Sequence, residues 1–142
     1  MIWKLKPTVT SINEMNKKSM AGFLGIEIIE FGDEYIKAKM PVDEKTKQPM
    51  GLLHGGASVV LAETVGSIAS YLVIDSNLAS VVGIEVNANH IRGATKGFVY
   101  SLTKPIKTGR TIHIWQTDIY DDLERLICTS RLTVMVVAND LK

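Results

Sequence analysis

The 142-residue sequence has a single cysteine, Cys128. One thiol cannot close an internal disulfide, so a reducing compartment suits the chain. Cys128 falls in the strand-like run Leu126-Ile127-Cys128-Thr129 and reads as a small buried hydrophobe, not a nucleophile. An excess of one charge is also lacking. Sixteen Lys and Arg face fifteen Asp and Glu, for a formal net charge of +1, and no basic tract interleaved with aromatics points to nucleic acid. Three histidines and one cysteine show no ligand spacing, so no metal centre is expected. The glycines between 51 and 56 lack the lysine of a phosphate-binding loop. No repeat or low-complexity run is present. The opening residues, MIWKLKPTVT, carry neither a long apolar run nor a small-residue cleavage site, so they do not read as a signal peptide. These gaps predict one domain over 1–142 in a cytoplasmic protein with no membrane partner.

What the chain has is one long apolar helix with an acid inside it. Residues 54–74, HGGASVVLAETVGSIASYLVI, hold a single formal charge, Glu63. A helix apolar on every side is a buried helix, and the interspersed Ser58, Thr64, Ser67 and Ser70 favour a core helix over a membrane span. A buried carboxylate is costly unless it is paired or used. Elsewhere the pattern is that of strands. Ser11-Ile12-Asn13-Glu14 fits a capping box and predicts a helix over about 12–18, with one more turn at 19–24. Strands are expected at 25–31, 35–40, 78–89, 97–103, 110–120 and 124–137, with a turn at 107–109. Between 35 and 40, Ile36, Ala38 and Met40 share one face and Tyr35, Lys37 and Lys39 the other. One long helix among antiparallel strands is an α+β arrangement. A long apolar helix must be wrapped on several sides, which a strongly curved antiparallel sheet around it achieves.

The spacing of two residues shapes the expected site. Gly55 opens the helix, where its N–H has no helical acceptor and lies at the positive end of the dipole. That N–H suits a carbonyl oxygen gaining negative charge. Glu63 can attack the carbonyl carbon or deprotonate a water that does so. The two lie eight residues apart, roughly 12 Å along a helix axis, too far to serve one carbonyl from one chain. If they act together they come from different chains, on two antiparallel helices in a two-fold dimer with two shared centres. Ser67, one turn beyond Glu63, is placed to orient the carboxylate or hold water. Gln48 and His54 flank the start of the helix. Plainer readings stand beside these: Glu63 as a structural carboxylate, His54 as a cap, the glycines as packing residues.

The combination Gln48-Pro49-x-Gly51-Leu52-Leu53-His54-Gly55-Gly56, then Ala62-Glu63-Thr64 and Gly66-Ser67, resembles the hotdog-fold acyl-CoA thioesterases. The branch is the one containing the 4-hydroxybenzoyl-CoA and phenylacetic-acid-pathway enzymes. Ile2-Trp3-Lys4, Met40-Pro41-Val42-Asp43, Val81 to Ala88, and Gly109-Arg110 with Trp115 extend the likeness over nearly the whole chain. It implies a hotdog fold, in dimers that often pair into tetramers, and hydrolysis of an aromatic acyl-CoA, with menaquinone biosynthesis as one setting. No separate cofactor is implied, since coenzyme A is part of the substrate. By carry-over, Glu63 is nucleophile or general base, the Gly55 amide polarises the thioester, Gln48 and His54 assist from Gly55's chain, and Ser67 accompanies Glu63. Coenzyme A is then expected along two segments: Asn89, His90, Ile91 and Arg92, and Ile106, Lys107, Thr108, Gly109, Arg110 and Thr111. Basic side chains there suit phosphate oxygens, and Val82 and Gly83 follow the pantetheine arm. One departure is Arg92-Gly93-Ala94, where the family pattern has proline after the arginine. Two other functions share these residues. A hotdog hydratase or dehydratase would use a histidine and an acid at carbon, and a non-catalytic acyl-CoA-binding module would not need Glu63.

Overall fold

The computed structural model describes residues 1–139, so the last three residues of the expected 1–142 domain lie outside the described part. The helices are α1 (Val9–Asn16), α2 (Met20–Phe23) and α3 (Gly55–Val73). The strands are β1 (Glu27–Phe31), β2 (Ile36–Pro41), β3 (Ala79–His90), β4 (Phe98–Thr108), β5 (Ile112–Tyr120) and β6 (Leu126–Ala138). They form one antiparallel sheet in the order β1-β2-β4-β5-β6-β3, which wraps the central helix α3. This is the hotdog fold.

The helix and sheet meet through period-matched apolar faces. Leu61, Val65, Ala69 and Leu72 of α3 are buried against the alternate strand positions Ile36, Ala38 and Met40, Val99, Trp115 and Ile119, and Leu132 and Val134. The N-terminal segment completes the packing. Trp3 stacks on Trp115 at 6.3 Å between ring centroids and donates from Nε1 to the Gly32 carbonyl at 2.8 Å. Cys128 is fully buried, and burial pushes its thiol up from its ordinary pKa, which keeps it protonated and inert.

Three features depart from the sequence pattern. Helix α1 starts at Val9, a turn earlier than the Ser11-x-x-Glu14 signature predicts. Thr8 is the cap: its hydroxyl accepts from Ser11 N at 3.0 Å, and Ser11 Oγ accepts from Thr8 N at 3.4 Å. Ser11 thus takes the role expected of Glu14. Strand β4 runs to Thr108 instead of stopping at 103, because a bulge between Pro105 and Lys107 carries the ladder past a proline that cannot donate. Ile106, Lys107 and Thr108 are therefore strand residues. Third, α3 is not enclosed on every side by the described residues. Gly56, Val59, Val60, Glu63, Thr64, Ser67 and Tyr71 form a stripe that is half-buried or exposed.

The two sheet edges are finished differently. On β1, the Asn13 side chain of α1 accepts from Ile28 N at 2.8 Å and donates to Ile28 O at 2.9 Å, occupying the free edge. The β3 edge has no such cover among the described residues. It is 12 residues long and exposes Val82 (45%) and Ile84 (51%).

Candidate active site

Residues 47–53 fold into a tight loop ahead of α3. Lys47 and Leu53 form an isolated antiparallel bridge, Gln48 N donates to Leu52 O at 2.8 Å, and Gly51 takes a φ of +85°. That left-handed conformation is open to glycine without penalty. The Gln48 side-chain carbonyl accepts from Met50 N at 2.5 Å. Its amide nitrogen has no partner among the described residues. The loop thus holds Gln48 in place and leaves it a free donor.

His54 is the N-cap of α3. Its Nδ1 accepts from Gly56 N at 2.8 Å, and its own N–H donates to Thr46 O at 2.8 Å. With Nδ1 accepting, a neutral ring carries its proton on Nε2. The capping reading of His54 therefore holds in the geometry. The cap takes up the Gly56 N–H, while the Gly55 N–H has no acceptor among the described residues. A free donor at the positive end of a 19-residue helix is suited to polarising a carbonyl.

Gln48, Gly55, Ser58, His90, Ile91 and Arg92 line one cleft of about 320 Å³. His90 points inward from the end of β3: a Cβ built on Gly55 falls 2.8 Å from its Nε2. The helix start and the 90–92 segment are thereby joined in space. Ser58, buried and three residues beyond Gly55, belongs to this cleft although the sequence reading passed over it. Its signal was the i, i+3 spacing that puts it on the face of Gly55.

Glu63 stands elsewhere. It lies about 12 Å further along the axis of α3, half-buried, against Gly83 of β3. It makes no hydrogen bond or ion pair with another described side chain. The acid is thus not sealed in an apolar core, contrary to the all-round apolar pattern of its helix. Ser67 follows it on the same open stripe, one turn on. Ser70, seven residues on from Glu63, is instead fully buried behind the helix. It accepts from Trp115 Nε1 at 2.7 Å and lies 3.1 Å from His113 Nδ1. With its proton used toward Nδ1, Ser70 links the helix to β5.

The second expected coenzyme A segment is at the opposite end of α3. Thr108, Gly109 and Arg110 line a cleft of about 380 Å³ with Lys4, Asp75 and His113. Ile106, Lys107 and Thr111 are exposed on the same hairpin. Neither Lys4 nor Asp75 is expected at the site from the sequence, because only the fold brings them there. Burial lowers the pKa of His113 from its ordinary value, with a partly offsetting contact to the Gly109 backbone. Of the β3 residues, Gly83 and His90 face the helix side of the sheet. Val82 and Asn89 pair with Met135 and Thr129 on the outer face. One chain thus holds two groups of expected site residues, Gln48–Gly55–His90–Arg92 and Glu63–Ser67, that do not meet. Among the described residues no cluster of three or more His, Cys, Asp or Glu side chains could hold a metal ion.

Known proteins resemble this chain over nearly its whole length. The Thioesterase superfamily pattern matches residues 50–128, which include Gly55, Glu63 and the 89–92 segment. The chain is 50% identical over 137 residues to the 1,4-dihydroxy-2-naphthoyl-CoA hydrolase of Escherichia coli, covering 96% of this chain and 100% of that protein. It is 44% identical over 137 residues to the proofreading thioesterase EntH of Cronobacter turicensis, covering 96% and 99%. A mutant of thioesterase PA1618 from Pseudomonas aeruginosa superposes with a TM-score of 0.96 at 45% identity, over 98% of this chain and all of that one.

Proposed function

This chain belongs to the thioesterase superfamily, and from that premise we propose that it hydrolyses an aromatic acyl-CoA at a centre shared between two copies of itself. Hydrolysis of acyl-CoA thioesters is the activity of the family. The finer reading assigns residues. The thioester carbonyl accepts from the Gly55 N–H of one protomer. Glu63 of the other protomer attacks the acyl carbon, or takes a proton from the water that does. The C–S bond breaks, coenzyme A leaves as the thiolate, and water supplies the oxygen of the acid. Gln48, with its carbonyl tied to the loop, donates from its free amide beside Gly55, and Ser67 steadies Glu63.

The observation that carries this reading is the separation of the two half-sites on one rigid helix. It is supported by the two uncovered surfaces next to them. Among the described residues the stripe of α3 that carries Glu63 is open, and the adjacent β3 edge is long, apolar in part and unpaired. Such an edge invites pairing with another strand. Antiparallel pairing of β3 with its own copy extends the sheet, covers Val82 and Ile84, and turns the helices antiparallel. It also brings the 108–111 hairpin of one protomer toward the 89–92 segment of the other, which completes a path for coenzyme A. The aromatic acyl group follows from the E. coli hydrolase it resembles, whose name specifies a dihydroxynaphthoyl thioester.

The test is thiol release from a panel of aryl and fatty acyl-CoAs. Aryl thioesters are expected to turn over fastest, and Glu63→Ala to lower kcat by about 10²–10⁴-fold. An unchanged rate in that variant removes Glu63 from the mechanism, and equal rates on all acyl groups remove the aromatic preference.

A further inference from the structure

A Cβ built on Gly83 falls 2.5 Å from Glu63 Oε1 and 3.9 Å from Leu132 Cδ1. The second contact is ordinary and the first is not tolerated, so the bare backbone of β3 is the surface on which the carboxylate rests. The backbone conformation does not demand glycine here, since the glycines with positive φ are Gly25, Gly51 and Gly97. Glycine also weakens a strand interior, yet Gly83 is the fifth residue of a 12-residue edge strand. The ladder to β6 then shifts register between Gly83 and Glu85, a bulge immediately beside the acid. Bulges of this kind re-aim side chains next to active sites. Among the described residues no polar partner fixes Glu63, so the shape of β3 does.

We infer that Gly83 is a positioning residue, whose missing side chain sets where the Glu63 carboxylate lies for attack. This rests on the catalytic reading of Glu63 given above. The geometry separates the effect on activity from the effect on folding. The atom that collides is the far end of a flexible side chain, so in Gly83→Ala the carboxylate moves and the strand does not. The strand itself gains from losing a glycine.

The experiment measures steady-state kinetics, thermal unfolding and sedimentation for Gly83→Ala, Glu63→Asp, Glu63→Ala and the double variant Gly83→Ala/Glu63→Asp. For Gly83→Ala, kcat falls on the order of 10²-fold, the loss typical of a misplacement of about 1 Å. KM stays within about threefold, and Tm and assembly state are unchanged or slightly improved. Asp withdraws the carboxylate by about one C–C bond, ~1.5 Å, and escapes the added methyl. The double variant is therefore no slower than Glu63→Asp alone, a non-additivity that marks direct coupling. A lesion in strand pairing would instead add to the loss from Glu63→Asp, and that additive result overturns the inference. So does a Gly83→Ala enzyme as fast as wild type while Glu63→Ala is inactive; in that case Glu63 keeps its catalytic assignment. If Glu63→Ala retains the wild-type rate, the catalytic reading of Glu63 falls first and the role of Gly83 falls with it.

Discussion

Replacing Gly55 by proline removes one hydrogen-bond donor and almost nothing else. Gly55 is the first residue of α3. Proline is favoured at that position, because the N–H it lacks has no helical acceptor and its φ is preset for a helix. The residue before a proline is pushed to extended backbone, and His54 already holds φ −66° and ψ 131°. The His54 cap bonds to Gly56, not to Gly55, so it survives. The new Cβ lies 2.8 Å from His90 Nε2. Gly55→Ala has the same Cβ and keeps the N–H, so the pair differs only in the donor and in the ring carbons that replace it. Loss of one preorganised donor to a developing oxyanion costs about 10²–10³ in kcat, or about 2.7–4 kcal/mol. Gly55→Pro is thus expected to be slower than Gly55→Ala by that factor at similar Tm. Equal rates for the two would refute the role of the amide. The same variant tests the shared centre. Gly55→Pro mixed with Glu63→Ala at equal amounts, after subunit exchange, yields mixed dimers in half the population. Each mixed dimer has one centre with both lesions and one with neither, so the mixture recovers about a quarter of wild-type activity. A centre confined to one chain recovers nothing, and a mixture no faster than the mean of its parents would end the cross-chain argument.

Two further measurements probe the scaffold. Ser70→Ala strips Trp115 Nε1 and His113 Nδ1 of their common partner in the core. Each orphaned group costs about 1–3 kcal/mol, so calorimetry should show Tm falling by several degrees. In the same core, His113 has a lowered pKa because burial disfavours its charged form. The unfolded chain therefore binds a proton that the folded chain resists as pH drops below about 6.5. Stability is full above that value and declines as pH falls from it toward the folded pKa, by up to about 1.4 kcal/mol per pH unit. His113→Gln flattens that slope, and an unchanged slope would assign the proton elsewhere. At the first helix, Thr8→Ala should cost about 1 kcal/mol in denaturant unfolding, whereas Glu14→Ala should stay within about 0.5 kcal/mol. The reverse order would restore the Ser11–Glu14 cap.

Much of the fold could be read from residue order because periodicity is a local property. Ile36, Ala38 and Met40 alternate strictly and all three are fully buried. The errors arise where two local signals compete. Ser11-x-x-Glu14 and Thr8-x-x-Ser11 are both capping patterns, and a sequence does not say which hydroxyl will be the first to stand outside a helix. Pro105 reads as a strand breaker, and it is one for a regular ladder. A bulge is a non-local remedy that only the partner strand β5 makes possible. His113 is a polar residue at an inward position, satisfied by Ser70 forty-three residues away. No window of sequence holds both.

The burial expected around Glu63 fails in a more instructive way. The apolar residues all round α3 call for cover on every side. They carry no mark of which chain does the covering. The sheet of this protomer takes one side, with Leu61, Val65 and Leu72 at zero to 2% exposure. Val59, Val60, Thr64 and Tyr71 around Glu63 are left open. The same imbalance recurs at the sheet edges, where Asn13 occupies β1 and nothing among the described residues occupies β3. An apolar excess beside an unpaired strand is a cost that a lone chain has no means of offsetting. In the proposed dimer a second copy offsets it at both places through one two-fold contact, which also sets Glu63 opposite the free Gly55 amide. On this argument the positions that destabilise the isolated protomer and the positions that perform hydrolysis are the same ones, so the catalytic centre and the assembled state stand or fall together.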